Sequence, residues 1–498
     1  MKQFEIDRKR ILMTLLFSMF CSVISTFAVN YPKREVRAVW LTTIGGLDWP
    51  HSYAQSASSV ERQKAELRSI LDKLQRANIN TVLLQTRVRA TTIFQSTEAS
   101  GNEPWDGCLS GNPGTSPGYD ALQYAIEECH RRGMELHAWV VTIPVGKWNA
   151  YGCKRLRERH PEMLIKIGEE GYMNPASKLT AQYLARYCAD IVRRYDVDGI
   201  HLDYIRYPES MKKLPPADEG RRNITQIVKA IHDAVKVQKP WVKMSCSPVG
   251  KHDDTRRFWS HGWNARSRVL QDAKEWMRLG FMDQEYPMMY FRGNNFYPFA
   301  LDWNEGSYGK TMVPGLGIYF LHPHEGKWNL EDITREMYVL RQQGMGFCMF
   351  RSKFFTENTK GLYDFVCQEF NRYPSLSPSM SSNTAKTPLP PPSISVMNTA
   401  DRTTISWGDG DDRSDGDYLM YNVYSSDTYP VDVERAENIV ALRYVGNTLT
   451  LRGNHPAYYA VTAIDRYGNE SKACQMRSTT LPKEVKPGWW WVTHPLGR

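Results

Sequence analysis

Asp203 closes an apolar run, Asp198-Gly-Ile-His-Leu-Asp203, and Arg206 follows three residues later. A carboxylate at a strand tip, kept charged by a nearby guanidinium, suits cleavage through an oxocarbenium-like transition state, as nucleophile or as electrostatic stabiliser. The competing reading is an Asp203–Arg206 ion pair that only orders a loop. Such chemistry usually needs a second, protonated carboxyl across the bond. The expected donor is Glu285, on the sixth apolar run. Glu98, Asp106, Asp253, Asp254, Asp302 and Glu305 are acids in loops that could fold over the same place, and water bound by His137 or His201 could share the acid–base work.

Polar residues two apart near strand ends point together into one space. Gln85 with Arg87, His137 with Trp139 and His201 with Asp203 have this spacing, and Arg206, Tyr207, Ser245, Ser247, Tyr290 and Arg351 stand at further run ends. A strand buried on both faces would read as nearly continuous Val, Ile and Leu. Placing His, Arg and Gln there is costly unless they pair or work. Gln85, Arg87, His137, Trp139, His201, Arg206, Tyr207, Tyr290 and Arg351 are therefore the expected substrate-binding set. No Cys-x-x-Cys pair occurs among the nine cysteines, and neither a metal nor a cofactor is expected.

Eight alternations of apolar run and amphipathic stretch position these residues. The spacing predicts strands over 36–42, 81–87, 135–141, 199–205, 242–248, 282–290, 311–319 and 346–352. Helical patterns lie between, over 60–77, 119–132, 178–195, 224–237, 266–279, 330–342 and 362–370. Eight such units over residues 33–373 argue for a closed (β/α)8 TIM barrel, with the site at the C-terminal strand ends. The other candidate, an open doubly wound sheet, loses its nucleotide-binding version because no Gly-x-Gly-x-x-Gly follows the first run. Residues 374–392 form a Pro/Ser-rich linker. Short alternating strands over 393–483 then read as a small all-β sandwich, its segment Tyr458–Ser471 similar to the late strands of a fibronectin type III module. A Trp-rich tail, 484–498, follows.

Residues 1–28 read as a cleaved export signal: a basic start with Lys2, Arg8, Lys9 and Arg10, then an uncharged apolar stretch to Ala28. The expected location is the periplasm, cell envelope or exterior, with no stable membrane span once the signal is removed; the other reading is an uncleaved anchor. Export would permit a disulfide between the loop cysteines Cys108 and Cys153. Removing residues 1–28 takes away four positive and two negative charges, so the net charge falls from +9 to +7, a mild excess that suits an anionic envelope or polymer, and no basic cluster interleaved with aromatics reads as a nucleic-acid surface. Trp49, Trp105, Trp148, Trp259, Trp263, Trp303 and Trp328 all follow predicted strands, where indole faces would stack on sugar rings; each taken singly is equally a loop-core residue.

Arg37–Trp40, Gln85–Arg87, His137–Trp139 and Asp198–Asp203, together with Tyr119-Asp120, Asn174-Pro175 and Ser247-Pro248, occur in the order seen in a bacterial family. Over residues 33–373 the chain resembles the family-10-like glycosyl hydrolases. The resemblance implies a TIM-type barrel, export, and action on bacterial envelope glycans such as peptidoglycan strands. Two departures stand out. The family often has Asp-Asp-Tyr-Phe-Tyr-Pro where this chain has Asp203-Tyr204-Ile205-Arg206-Tyr207-Pro208, and Pro-Gln-x-Tyr-Trp where it has Pro287-Met288-Met289-Tyr290-Phe291. The leading expectation is an exported glycoside hydrolase acting on a polysaccharide or peptidoglycan strand. A non-catalytic glycan-binding or scaffolding protein using the same cleft is the alternative, and a metal-dependent polysaccharide deacetylase is a third.

Overall fold

The computed structural model describes residues 31–380, 386–399, 401–410, 417–453 and 458–477. The expected export signal (1–28) and the Trp-rich tail (484–498) lie outside the described residues.

Strands β1 (Arg37–Leu41), β2 (Thr81–Val88), β3 (Glu135–Val141), β4 (Gly199–Asp203), β5 (Lys243–Ser247), β6 (Gln284–Glu285), β7 (Thr311–Met312, resuming at Gly315–Leu316) and β8 (Phe347–Met349) run parallel in one sheet. Helices alternate with them: α1 (Ala57–Arg76), α2 (Ala121–Arg131), α3 (Lys178–Arg194), α4 (Ala217–Gln238), α5 (Ala273–Arg278), α6 (Tyr297–Glu305), α7 (Leu330–Gln342) and α8 (Leu362–Phe365, continuing through Phe370). Side-chain oxygens of Ser56, Asp120 and Ser177 accept the first free N–H groups of α1, α2 and α3.

The seventh strand closes the ring. Its first half pairs with β6 and its second half with β8, which in turn pairs with β1. Pro314, which has no N–H to give, marks the interruption, yet its carbonyl still accepts from Cys348 (3.1 Å). The result is an α/β, TIM-barrel-like fold. Ala38, Trp40, Leu83, Trp139, Tyr286 and Val313 fill the interior. Val39, Leu84, Ala138, Ile200, Leu202 and Cys246 face the helices in the larger core. Two glycines make room for interior rings: a Cβ on Gly315 would lie 2.7 Å from the Trp40 indole, and one on Gly199 2.6 Å from the His137 ring.

Some expected elements differ. The run 282–290 is a strand only at Gln284–Glu285, because Pro287 interrupts it; Met288 makes isolated bridges to Val249 and Gly315. The helix expected over 266–279 is two short pieces, Ala265–Arg268 and α5. Between them Gln271 turns inward, accepting from Val249 N–H (3.0 Å) and donating to Ile205 O (3.3 Å). The stretch 374–380, read as linker, is packed: Leu376 exchanges hydrogen bonds with Lys33 and Glu35, and Ser375, Leu376 and Met380 are buried. Cys108 and Cys153 are separate free thiols, so the expected disulfide is not formed.

Beyond this stretch, β9 (Ile394–Asn398), β10 (Arg402–Trp407), β11 (Met420–Ser426), β12 (Ile439–Tyr444), β13 (Thr448–Arg452), β14 (Tyr458–Ile464) and β15 (Cys474–Arg477) form two antiparallel sheets, ordered β9-β10-β13 and β12-β11-β14-β15. Val396, Ile405, Trp407, Val423 and Val461 meet in their shared core. This unit caps the N-terminal rim of the barrel. Arg443 of β12 donates to Asp198 (2.5 Å) and Glu135 (3.1 Å), Arg466 donates to Asp196 (2.5 Å) and Asp198 (3.3 Å), and Tyr418 donates to Asp196 (2.8 Å). From the barrel side Lys243 holds Glu135 (2.6 Å) and His130 holds Asp198 (2.8 Å).

Candidate active site

Asp203 ends β4 and, two residues past His201, points inward where β3, β4 and β5 terminate together. Its Oδ1 accepts from the Ser247 hydroxyl (2.8 Å) and from Tyr204 N–H (2.8 Å), and its Oδ2 accepts from the Trp139 indole N–H (3.1 Å). Strand register supplies two of these donors: Ser247 sits directly beside Asp203 in the ladder, and Trp139, beside His201, lies two residues before Val141, the other neighbour of Asp203, and so faces the same way. Burial raises the Asp203 pKa; Arg206, Ser247, Tyr204 and Trp139 pull the other way and lose. Three hydrogen-bond donors thus face its carboxylate form, set against the cost of burial.

Arg206 does not hold Asp203 as expected. Its Nε and Nη2 donate to Glu209 (2.9 and 2.6 Å), and its guanidinium lies 4.2 Å from the Tyr204 ring centre, so its charge reaches Asp203 only through space. Among the described residues its Nη1 is buried without a partner. The Tyr290 hydroxyl is likewise buried and unpartnered, its ring stacked on Phe350 (5.4 Å) and edge-on to Tyr319 (5.8 Å). Burial raises the Tyr290 pKa, and the nearby Asp203 and Tyr204 add to this. Tyr204, 38% exposed with φ +54°, stands at the rim. Asp203, Trp139, Arg206 and Tyr290 are thus brought together from the expected set, with Ser247, Tyr204, Tyr319 and Phe350 around them.

Glu285 is not part of this cluster. Gln284 and Tyr286 point into the barrel, Tyr286 packing on Trp40 and His201, so Glu285 between them faces the helices, where Cys246 Sγ lies 2.9 Å from its Oε2. Burial drives its pKa far up, and among the described residues its Oε1 has no partner. It lies on the helix-facing side of the strand, away from Asp203.

The other expected substrate contacts are structural. Gln85 Oε1 accepts from Thr43 and Ile44 N–H (3.1 and 2.9 Å), tying down the loop after β1. Arg87 is fully buried, donating to Glu103 from Nε and Nη2 and to the Thr142 carbonyl. Arg351 bonds Asp48 (2.5 Å) and the Leu47 carbonyl (2.8 Å), bracing the β1 and β8 ends. Tyr207 is turned outward, its hydroxyl accepting from Asn223 of α4 (2.9 Å). His137 sits near the barrel floor beside Glu135 (3.3 Å). His201 is fully buried mid-barrel: the Trp40 indole N–H can only donate, so Nε2 accepts (3.2 Å) and Nδ1–H donates to Ser245 (3.0 Å). Burial and the nearby His137 hold this ring neutral. Among the loop acids, Asp106 caps a short helix, Asp254 accepts from Ser260, Asp253 pairs with Arg266, Asp302 with Lys274 and Glu305 with Arg257. Among the described residues no three His, Cys, Asp or Glu side chains gather where they could hold a metal ion.

Tyr204 is a rim residue the sequence reading passed over, although its place directly after Asp203 was visible. Tyr319 and Phe350 carried no signal, because their role depends on how β7 and β8 lean toward Tyr290.

The profile of the family described as glycosyl hydrolase-like 10 matches residues 35–219 and 210–319. The chain is 26% identical over 500 residues to "Glycosyl hydrolase YngK" of Bacillus subtilis (strain 168), covering 91% of this chain and 96% of that protein. It is 28% identical over 299 residues to "Glycosyl hydrolase DigH" of Escherichia coli (strain K12), covering 52% of this chain and 66% of that protein. Among solved structures, α-L-fucosidase isoenzyme 2 from Paenibacillus thiaminolyticus superposes with a TM-score of 0.46 at 15% identity, over 67% of this chain and 49% of that one.

Proposed function

The chain belongs to the glycosyl hydrolase-like 10 family, and on that premise we propose that it cleaves glycosidic bonds in an envelope polysaccharide, with Asp203 as general acid. The observation that carries this is the carboxyl itself: buried, shifted toward its protonated form, and held by Trp139, Ser247 and the Tyr204 N–H. In the reaction Asp203 gives its proton to the glycosidic oxygen as the bond to the anomeric carbon breaks, a water molecule adds to that carbon, and the proton the water loses returns through solvent to the Asp203 carboxylate, whose charge the three donors hold meanwhile. The unpartnered Tyr290 hydroxyl and Arg206 Nη1 are free to bond sugar oxygens once a substrate opens the rim.

Peptidoglycan strands are the proposed substrate and the periplasm or cell surface the proposed location, in keeping with the apolar stretch over 11–28 and the net charge, which falls from +9 to +7 without residues 1–28. The C-terminal unit is read as fibronectin type III-like, on its two antiparallel sheets of three and four strands. The second reading, a glycan-binding protein without turnover, draws on Glu285 facing away from Asp203. Incubating the protein with purified sacculi and assaying new reducing ends separates the two. The expected result is release that disappears in Asp203→Asn while the thermal midpoint is kept; undiminished release by that variant would refute the assignment.

A further inference from the structure

Of the seven loop tryptophans, five are spent on packing. Trp49 and Trp303 are fully buried, with indole N–H groups donating to Gln63 and Gly250 carbonyls (2.9 and 2.7 Å). Trp328 stacks on Phe320 (4.6 Å), Trp148 lies under Arg157 (4.2 Å), and Trp105 packs against the main core. Trp259 and Trp263 differ: they are 61% and 39% exposed. Both belong to the loop between β5 and α5.

This loop is not loose. Ser260 N–H bonds Asp254 (2.8 Å), Lys251 Nζ reaches Ser260 O (3.3 Å) and Asn295 (2.6 Å), and Ala265 and Arg266 N–H return to Lys251 and His252 carbonyls (2.8 and 2.9 Å). Phe258, next to Trp259, turns inward against Phe299 (6.4 Å), whereas Trp259 stays outside, its ring beside that of His261 (4.7 Å). Ordering a backbone to present two indoles to water forgoes the largest burial energy a side chain has, so such surface marks a contact. The same loop is stitched to the segment after Asp203: Tyr207 N–H to Val269 O (3.0 Å), Arg268 Nη2 to Glu209 O (3.3 Å) and Gln271 to Ile205 O. Ser247, one end of this loop, bonds Asp203 itself. Arg256, exposed and with no ionic partner among the described residues, adds positive charge.

We propose that Trp259 and Trp263 are a platform for a glycan strand outside the bond being cut, so that the substrate is a polymer several sugars long and carries negative charge. Apolar pyranose faces lie on the indoles, and Arg256 meets an acidic substituent of the strand. The proposal rests on Asp203 being the site of cleavage, and the experiment separates the two ideas. Binding of purified bacterial sacculi is measured by co-sedimentation for Asp203→Asn, in which the polymer stays intact, and for the same variant carrying Trp259→Ala and Trp263→Ala. The expected result is binding weakened about tenfold or more by the double truncation, as for an aromatic hot spot, with Tyr at both positions restoring most of it and the thermal midpoint unmoved. Arg256→Gln should weaken binding less and make it less sensitive to salt. Equal binding with and without the indoles overturns the platform, whatever Asp203 does. Full turnover by Asp203→Asn overturns the cleavage assignment while leaving an indole-dependent binding result intact.

Discussion

Arg443→Met removes the guanidinium that spans Asp198 and Glu135 while keeping most of the apolar stem. The side chain is only 7% exposed and its two donors sit 2.5 and 3.1 Å from the carboxylates. Breaking a buried pair from one side costs about 3–5 kcal/mol, because the partner stays behind as an uncompensated charge. Here the survivors keep help: Glu135 retains Lys243 at 2.6 Å, and Asp198 retains His130 (2.8 Å), Leu136 N–H (2.9 Å) and Arg466 (3.3 Å). The lower end, about 3 kcal/mol, is therefore expected. Urea unfolding at pH 7, followed by tryptophan fluorescence and far-ultraviolet circular dichroism, reads it. A cycle with Glu135→Gln should return a coupling of roughly 1–3 kcal/mol, as contacting residues do. A loss below about 0.5 kcal/mol, the size of an ordinary surface substitution, would show that the guanidinium is solvated and that this ion cluster does not hold the C-terminal unit on the barrel.

Acid should open the same junction. Glu135, its burial outweighed by Lys243, is held down at about 2, and Asp198 lies well below the usual carboxylate range, its burial outweighed by Arg443 and His130. Groups more acidic in the folded than the unfolded state contribute stability that is present above pH about 4 and lost as pH falls toward 2. A steep drop of the thermal midpoint across that window, shallower in Arg443→Met, is the expected pattern. Glu285→Gln tests the opposite sign: the folded state keeps a proton that an unfolded glutamic acid releases above pH about 4.3. The amide should raise stability at pH 7, the gain fading as pH falls through that value, with turnover within about threefold of the parent since no transition-state contact is removed. Loss of activity at constant stability would return Glu285 to the site.

Periodicity made much of this molecule legible. Alternating apolar runs and amphipathic stretches announced the parallel barrel, and residues two apart at the end of β4 announced that Asp203 would face its mouth, because side-chain direction in a strand follows from counting. Counting also contains the flaw in the Glu285 expectation: only pairing fixed the phase of β6, placing Gln284 and Tyr286 inside. Proximity in sequence misled at Arg206, where three residues of chain allow the guanidinium to turn to Glu209 instead of Asp203. Composition could not tell Trp303, sealed in the core, from Trp259, left in water, because both follow strands and differ only in what packs over them. Asp203's shift is of the same kind. An Arg three residues on suggested a lowered pKa; removal from water, a property of everything around it, raises it instead. Local pattern dictates where a side chain points. Solvation, partner and charge depend on residues brought in from other elements of the chain, and these the folded chain alone assembles.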